Sequence, residues 1–261
     1  MQKWINWILR VFDNLLNLKS DHESILGTVK EEDMTPKLDK LSGKMIMIDP
    51  GHGLYMKTTN GSGPLVYQRE DFDGVREDLI TLKISKYLQE ELELVGAGCW
   101  VTRTPDSKEG SLIDLKKRGE LKNITPTGSS NKSKDVNVRW QYANLINNIV
   151  SIDLFISIHF NAGGGKGCEI FYYTGNEHTK KIATAIQKET IKANPGLNDR
   201  GVKDTTKYAV VKRTHCPSVL WEGAFFDSKY DREKFLKDEE YYKRSAKAIA
   251  KGIADTIGNN T

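Results

Sequence analysis

Beyond residue 40 the chain alternates short apolar runs with longer stretches in which apolar residues return at helical spacing. Runs of the first kind, at 44–48, 98–102, 154–158, 169–173, 208–211 and 218–222, predict strands. Stretches of the second kind, at 77–95, 138–148, 177–193 and 230–257, predict helices. In the first of these, Leu79, Leu82, Ile84, Leu88, Leu92 and Val95 line one face, behind acidic residues placed where a helix dipole favours them. Phe235, Leu236, Tyr241, Ile249 and Ile253 form a similar face in the last. The alternation predicts an α/β fold: a single, mostly parallel, twisted sheet of about six strands flanked by helices. No repeat of fixed period is present, which excludes a solenoid.

The pattern changes at the N-terminus and in one internal stretch. Over 1–19, Trp4, Ile5, Ile8, Leu9, Phe12, Leu15 and Leu16 recur at helical spacing, while Asn6, Arg10, Asp13, Asn14 and Asn17 break any continuous apolar core. This predicts an N-terminal amphipathic helix without a cleavable export signal. Such a helix fits packing against the body or a protein partner, or attachment to a membrane surface. A polar linker over 20–40, with Glu31, Glu32 and Asp33 in a row, separates it from a main domain spanning 41–261. Within that domain 105–135 is rich in Lys, Ser, Gly and Asn, which predicts a mobile surface insertion.

Composition narrows the class. A chain of 261 residues with 38% hydrophobic content can bury an ordinary globular core. The net charge of +4, from 39 basic against 35 acidic side chains, is too dilute to indicate nucleic-acid binding. Cys99, Cys168 and Cys216 are widely spaced and odd in number, so buried thiols are expected rather than a disulfide framework or a metal knuckle.

The chemistry gathers where predicted strands end. The first strand runs into Asp49, Pro50, Gly51, His52 and Gly53, and the third into His159, Phe160 and Asn161. In an open parallel sheet ligands bind at the carboxyl ends of strands, so the two imidazoles are expected in one cleft, with zinc as a favoured partner. Gly51 and Gly53 provide the tight turn that presents His52. A catalytic zinc takes three protein ligands, and the third is expected to be acidic. Glu77 opens the helix after the first long loop and Glu70 competes with it; position alone leaves the choice open. Glu222 ends the sixth strand among Leu220, Trp221 and Phe225, a poorly solvated setting that suits general acid or base work. His22, His178 and His215 lie in the linker, at a helix start and in a loop, where no such role is implied.

Three segments carry a specific resemblance: Ile48 to Gly53 (IDPGHG), Phe155 to Ala162 (FISIHFNA) and Pro217 to Glu222 (PSVLWE). In this order and spacing they resemble the zinc N-acetylmuramoyl-L-alanine amidases of the amidase-3 type. Thr102, Arg103, Arg139, Ala143, Asn144, Gly201, Val202 and Lys203 support the likeness, which spans about 41–257. The resemblance implies one zinc per chain on His52, Glu77 and His159, with Glu222 as the catalytic glutamate. It selects Glu77 because the family's ligand glutamate lies five residues before a helix leucine, here Leu82. It further implies peptidoglycan as the substrate and Asn161 as a substrate-binding residue, with action on the bacterial cell wall. The protein would then reach the wall by release on lysis or through an uncleaved N-terminal anchor. The alternatives are a zinc carboxypeptidase acting on stem peptides and a catalytically silent wall-binding module. The segment from Leu54 through Pro64 departs from the family pattern beside His52, as does the length of 105–135.

Overall fold

The computed structural model describes residues 40–57, 64–67 and 72–258. The predicted helix over 1–19, the linker up to residue 39 and Glu70 lie outside the described residues. The elements are β1 (Met45–Pro50), β2 (Leu54–Met56), β3 (Leu65–Tyr67), α1 (Glu77–Glu93), β4 (Gly98–Val101), α2 (Ser111–Lys117) and α3 (Asn131–Asn147). There follow β5 (Leu154–Asn161), β6 (Cys168–Tyr173), α4 (Glu177–Ala193), β7 (Asp199–Thr205), α5 (Ala209–Lys212), β8 (Ser218–Phe225) and α6 (Lys229–Asp231). A π-helical turn, Arg232–Leu236, leads into α7 (Glu239–Ile257).

Six strands form one sheet in the order β4-β1-β5-β8-β6-β7. β4, β1, β5 and β8 are parallel; β6 runs antiparallel to β8 and parallel to β7. The expected α/β architecture with a mostly parallel sheet is therefore present.

Strand alternation sorts the two faces. Ile46, Ile48, Ile156, Ile158, Val219, Trp221 and Ile170 are buried in a core with Ile80, Ile84, Leu88, Ile182, Ile186, Ile249 and Ile253 of α1, α4 and α7. Truncating one of these buried aliphatic side chains to alanine costs about 2–5 kcal/mol, because the cavity left behind adds to the lost transfer energy. The alternate residues Asp49, Ser157, His159, Glu169 and Glu222 belong to the opposite face, so the same strands that build the core carry the polar chemistry.

Three expectations need correction. The segment 208–211 is not a strand: Ala209–Lys212 is a short helix with Val210 and Val211 buried, and the strand is Asp199–Thr205 upstream. A run of four apolar residues does not discriminate strand from helix, and β7, a polar edge strand, has little apolar pattern to reveal it. The long helix expected over 230–257 is interrupted, and Asp238 caps α7 by accepting from Glu240 N at 3.0 Å. The stretch 105–135 is not simply an extended surface loop. It contains α2 and the first turn of α3, the latter closed by a reciprocal Ser130–Ser133 cap. Asp114 and Asp135 are buried there, and the former accepts from Thr104 N and Oγ1 at 3.1 and 2.8 Å. Polar composition does not report these anchors, because a carboxylate that is buried and paired reads in sequence like one that is solvated.

Candidate active site

The turn after β1 is fixed by side chains on three successive carbonyls. Arg139 donates from Nη1 to Pro50 O at 2.6 Å and from Nη2 to His52 O at 2.6 Å. Gly51 O accepts from Thr81 Oγ1 at 2.8 Å and from Arg103 Nη2 at 3.1 Å. These four bonds hold His52 at φ 60°, a left-handed conformation that a residue with a Cβ rarely adopts. Gly51 is required for a different reason: a Cβ there would lie 2.5 Å from Cε1 of His159.

Arg139 is itself locked between two buried carboxylates, Asp49 at 2.8 Å and Asp135 at 2.9 Å. Asp49 also accepts from Thr102 Oγ1, and from Ser157 Oγ at 2.6 Å. Burial alone would raise the Asp49 pKa, but Arg139, Ser157, Thr102 and His159 together bring it below its ordinary value. Burial opposes the Arg139 charge, and attraction from Asp49 and Asp135 outweighs it, so that guanidinium stays firmly protonated. Arg103 lacks such direct pairing, and burial pushes its pKa down to about 10.

His52, Glu77 and His159 converge above this turn. His52 Nε2 lies 3.0 Å from Glu77 Oε1 and 3.2 Å from His159 Nδ1, while His159 Nδ1 lies 3.4 Å from Glu77 Oε1. The two rings meet edge to face at 76°. Glu77, only 2% exposed at the start of α1, is oriented by accepting from Phe160 N at 2.9 Å. Burial lowers the pKa of His159, which favours the neutral ring that ligates metals. Donors bound tetrahedrally at about 2.0–2.1 Å from a zinc ion stand about 3.3 Å apart, so the triangle has the size such an ion needs. Two imidazoles and a carboxylate are also a suitable donor set for zinc.

Glu222 lies one strand away, as the register partner of His159 across β5 and β8. Glu169 is its register partner on the other side, across β6 and β8. His159, Glu222 and Glu169 thus form a row across one face. Glu222 is 6% exposed, as its flanking residues suggested, but Trp221 passes to the opposite face and packs edge to face with Phe160. Asn161 donates to Glu169 Oε1, so its amide bears on that carboxylate. Burial would raise the Glu169 pKa, but Lys203 and Arg200 outweigh it and keep this group ionised. His178 and His215 are exposed and stand apart from the triangle of donors.

Glu169 and Arg200 were not expected at the site. The available signal for Glu169 is a charged residue within an otherwise apolar strand; for Arg200 it is the adjoining Gly201, Val202 and Lys203 that support the family likeness, since β7 itself has little apolar pattern.

A family model described as N-acetylmuramoyl-L-alanine amidase matches residues 46–255. The chain is 28% identical over 220 residues to the uncharacterized protein YqiI of Bacillus subtilis, covering 82% of this chain and 85% of that protein. It is 31% identical over 215 residues to the N-acetylmuramoyl-L-alanine amidase LytC of the same species, covering 80% of this chain but 35% of LytC. Among solved structures, the CwlD amidase from Clostridioides difficile, in complex with the GerS lipoprotein, shares the fold with a TM-score of 0.61 at 24% identity. That match covers 82% of this chain and 98% of CwlD.

Proposed function

This chain belongs to the N-acetylmuramoyl-L-alanine amidase family, and from that premise we propose that it cleaves the amide joining the lactyl group of N-acetylmuramic acid to L-alanine in peptidoglycan. The observation that carries this reading is the convergence of His52, Glu77 and His159 within hydrogen-bond distance of one another, with Glu222 one strand away. These three side chains would hold one zinc ion. When bound, zinc supplies a Lewis acid that polarises the scissile carbonyl and lowers the pKa of water toward neutrality.

The chain's own groups do the rest. Glu222 accepts the proton of the attacking water and delivers it to the departing alanine nitrogen, so the amine leaves neutral. Its burial between His159 and Glu169 limits competing solvent at the point of transfer. Glu77, fixed by Phe160 N, and the clamped turn at His52 keep the donors in place without reorganisation.

The test pairs elemental analysis of the purified protein with mass spectrometry of peptidoglycan digested with and without chelator. About one zinc per chain is expected from a single three-ligand site, together with chelator-sensitive release of stem peptides beginning with L-alanine. Cleavage only within the stem peptide would make the protein a peptidase, and bound metal without cleavage would remove the catalytic role of Glu222. The cell wall is the expected place of action. Among the described residues no helix is long and apolar enough to cross a membrane.

A further inference from the structure

Beyond the donor triangle and Glu222, the row on this face continues into a cationic wall. Arg200 donates from Nε to Glu169 Oε2 at 2.7 Å, and Lys203 Nζ donates to the same oxygen. Glu169 is almost fully buried, whereas the side chains of Arg200 and Lys203 remain 32% and 39% exposed. One carboxylate thus orients two cations, leaving the wall with a net positive charge. The Arg200 guanidinium also lies over the Phe225 ring, 4.7 Å from its centroid. Held by a salt bridge at Nε and by a ring face, it is preorganised, and its terminal Nη pair has no hydrogen-bond partner among the described residues. A preorganised guanidinium of this kind is suited to bidentate recognition of a carboxylate.

Resting on the amidase reading, we propose that Arg200, assisted by Lys203, binds a free carboxylate of the stem peptide, that of the residue following L-alanine. The spacing fits. Glu222, Glu169 and Arg200 stand on the three successive strands β8, β6 and β7, about 4.8 Å apart per step. Two extended residues carry the substrate about 7 Å from the scissile carbonyl to that carboxyl. The long Arg200 side chain reaches back over Glu169 and covers the difference. A γ-linked D-glutamyl residue places an α-carboxylate at this position, whereas its α-amidated form presents a neutral carboxamide. The wall therefore makes the enzyme selective for the free acid.

The experiment uses the full chain and two synthetic muramoyl tripeptides that differ only at the D-glutamyl α-carboxyl, free acid or carboxamide. The wild-type protein should prefer the free acid by about tenfold or more in kcat/KM, as expected for loss of a charge-assisted bond. In R200Q that ratio should fall to within about twofold of unity, mainly through KM, with R200K retaining part of the preference. K203M should weaken the preference less. Equal wild-type treatment of the two substrates, or an unchanged ratio in R200Q, overturns the proposal. Calorimetric binding of the same pair to E222Q separates the two readings. Discrimination in binding without turnover by wild type upholds the carboxylate subsite and defeats the amidase reading; turnover without discrimination does the reverse.

Discussion

The α-carbon of Gly51 lies against the imidazole of His159, so closely that an added Cβ would stand 2.5 Å from Cε1 and 2.6 Å from Nδ1. One proposed zinc ligand therefore rests on the backbone residue that precedes the other. The turn after β1 is thus a template for both rings at once. Its rigidity comes from Thr81, Arg103 and Arg139 on successive carbonyls.

Gly51→Ala should accordingly act on the metal centre more than on the fold. The contact is with the body of the ring, so His159 must shift or the turn must open, at a cost of about 1–3 kcal/mol. Zinc affinity, read by competition with a chromogenic chelator, should fall about tenfold or more because the donors lose their orientation. Unchanged affinity would show that the ring and the turn do not constrain each other.

Arg139→Met tests the buried network beneath the turn. It leaves Asp49 and Asp135 without their shared cation and releases Pro50 O and His52 O. Removing one partner of a buried ion network typically costs about 3–5 kcal/mol, since the remaining charges stay desolvated. Urea denaturation of the chelator-treated protein should show a loss of that order. A loss below about 1 kcal/mol would mean that water or rearrangement compensates the two carboxylates.

The same network sets an acid limit on stability. Asp49 has a pKa below its ordinary 3.8, because Arg139, Ser157, Thr102 and His159 outweigh the effect of burial. A group depressed in the folded state contributes stability above its unfolded pKa and loses it as pH falls through the folded value. The stability difference between wild type and Asp49→Asn should therefore be steady above about pH 5 and shrink steadily toward about pH 2. Paired denaturation curves across that range measure it, and a difference that grows on acidification would reverse the assigned sign.

Much of this site was legible from the chain because it sits at strand ends. His52 and His159 each follow an apolar run, so the strand-end rule brings them together, and Glu77 is one of two acidic candidates that local pattern places near them. The choice of Glu77 over Glu70 came from resemblance to the family and not from periodicity. What escaped were groups defined by long-range pairing. The role of Asp135 depends on Arg139 reaching Asp49, which is 90 residues away from that arginine in sequence. Glu169 gains its meaning from Arg200 on an edge strand with little apolar signature. The helix at Ala209–Lys212 differs from the expected strand for another reason: its two buried valines report burial, and burial alone does not distinguish strand from helix.

Glu222→Gln separates proton transfer from metal binding. Glu222 is the register neighbour of His159 but lies outside the triangle formed by His52, Glu77 and His159. A glutamine preserves the shape and keeps polar atoms in the row beside Glu169, yet it cannot accept the water's proton at neutral pH. Zinc content should stay near that of wild type, while kcat for muropeptide cleavage should fall by about 10²–10⁴-fold, the usual worth of a positioned acid–base group. The pH profile should also lose the limb that reports ionisation of the base, because no carboxyl remains to titrate. If the variant instead binds little zinc and its residual activity keeps the wild-type profile, Glu222 belongs to the metal's support and the proton must be carried by another group.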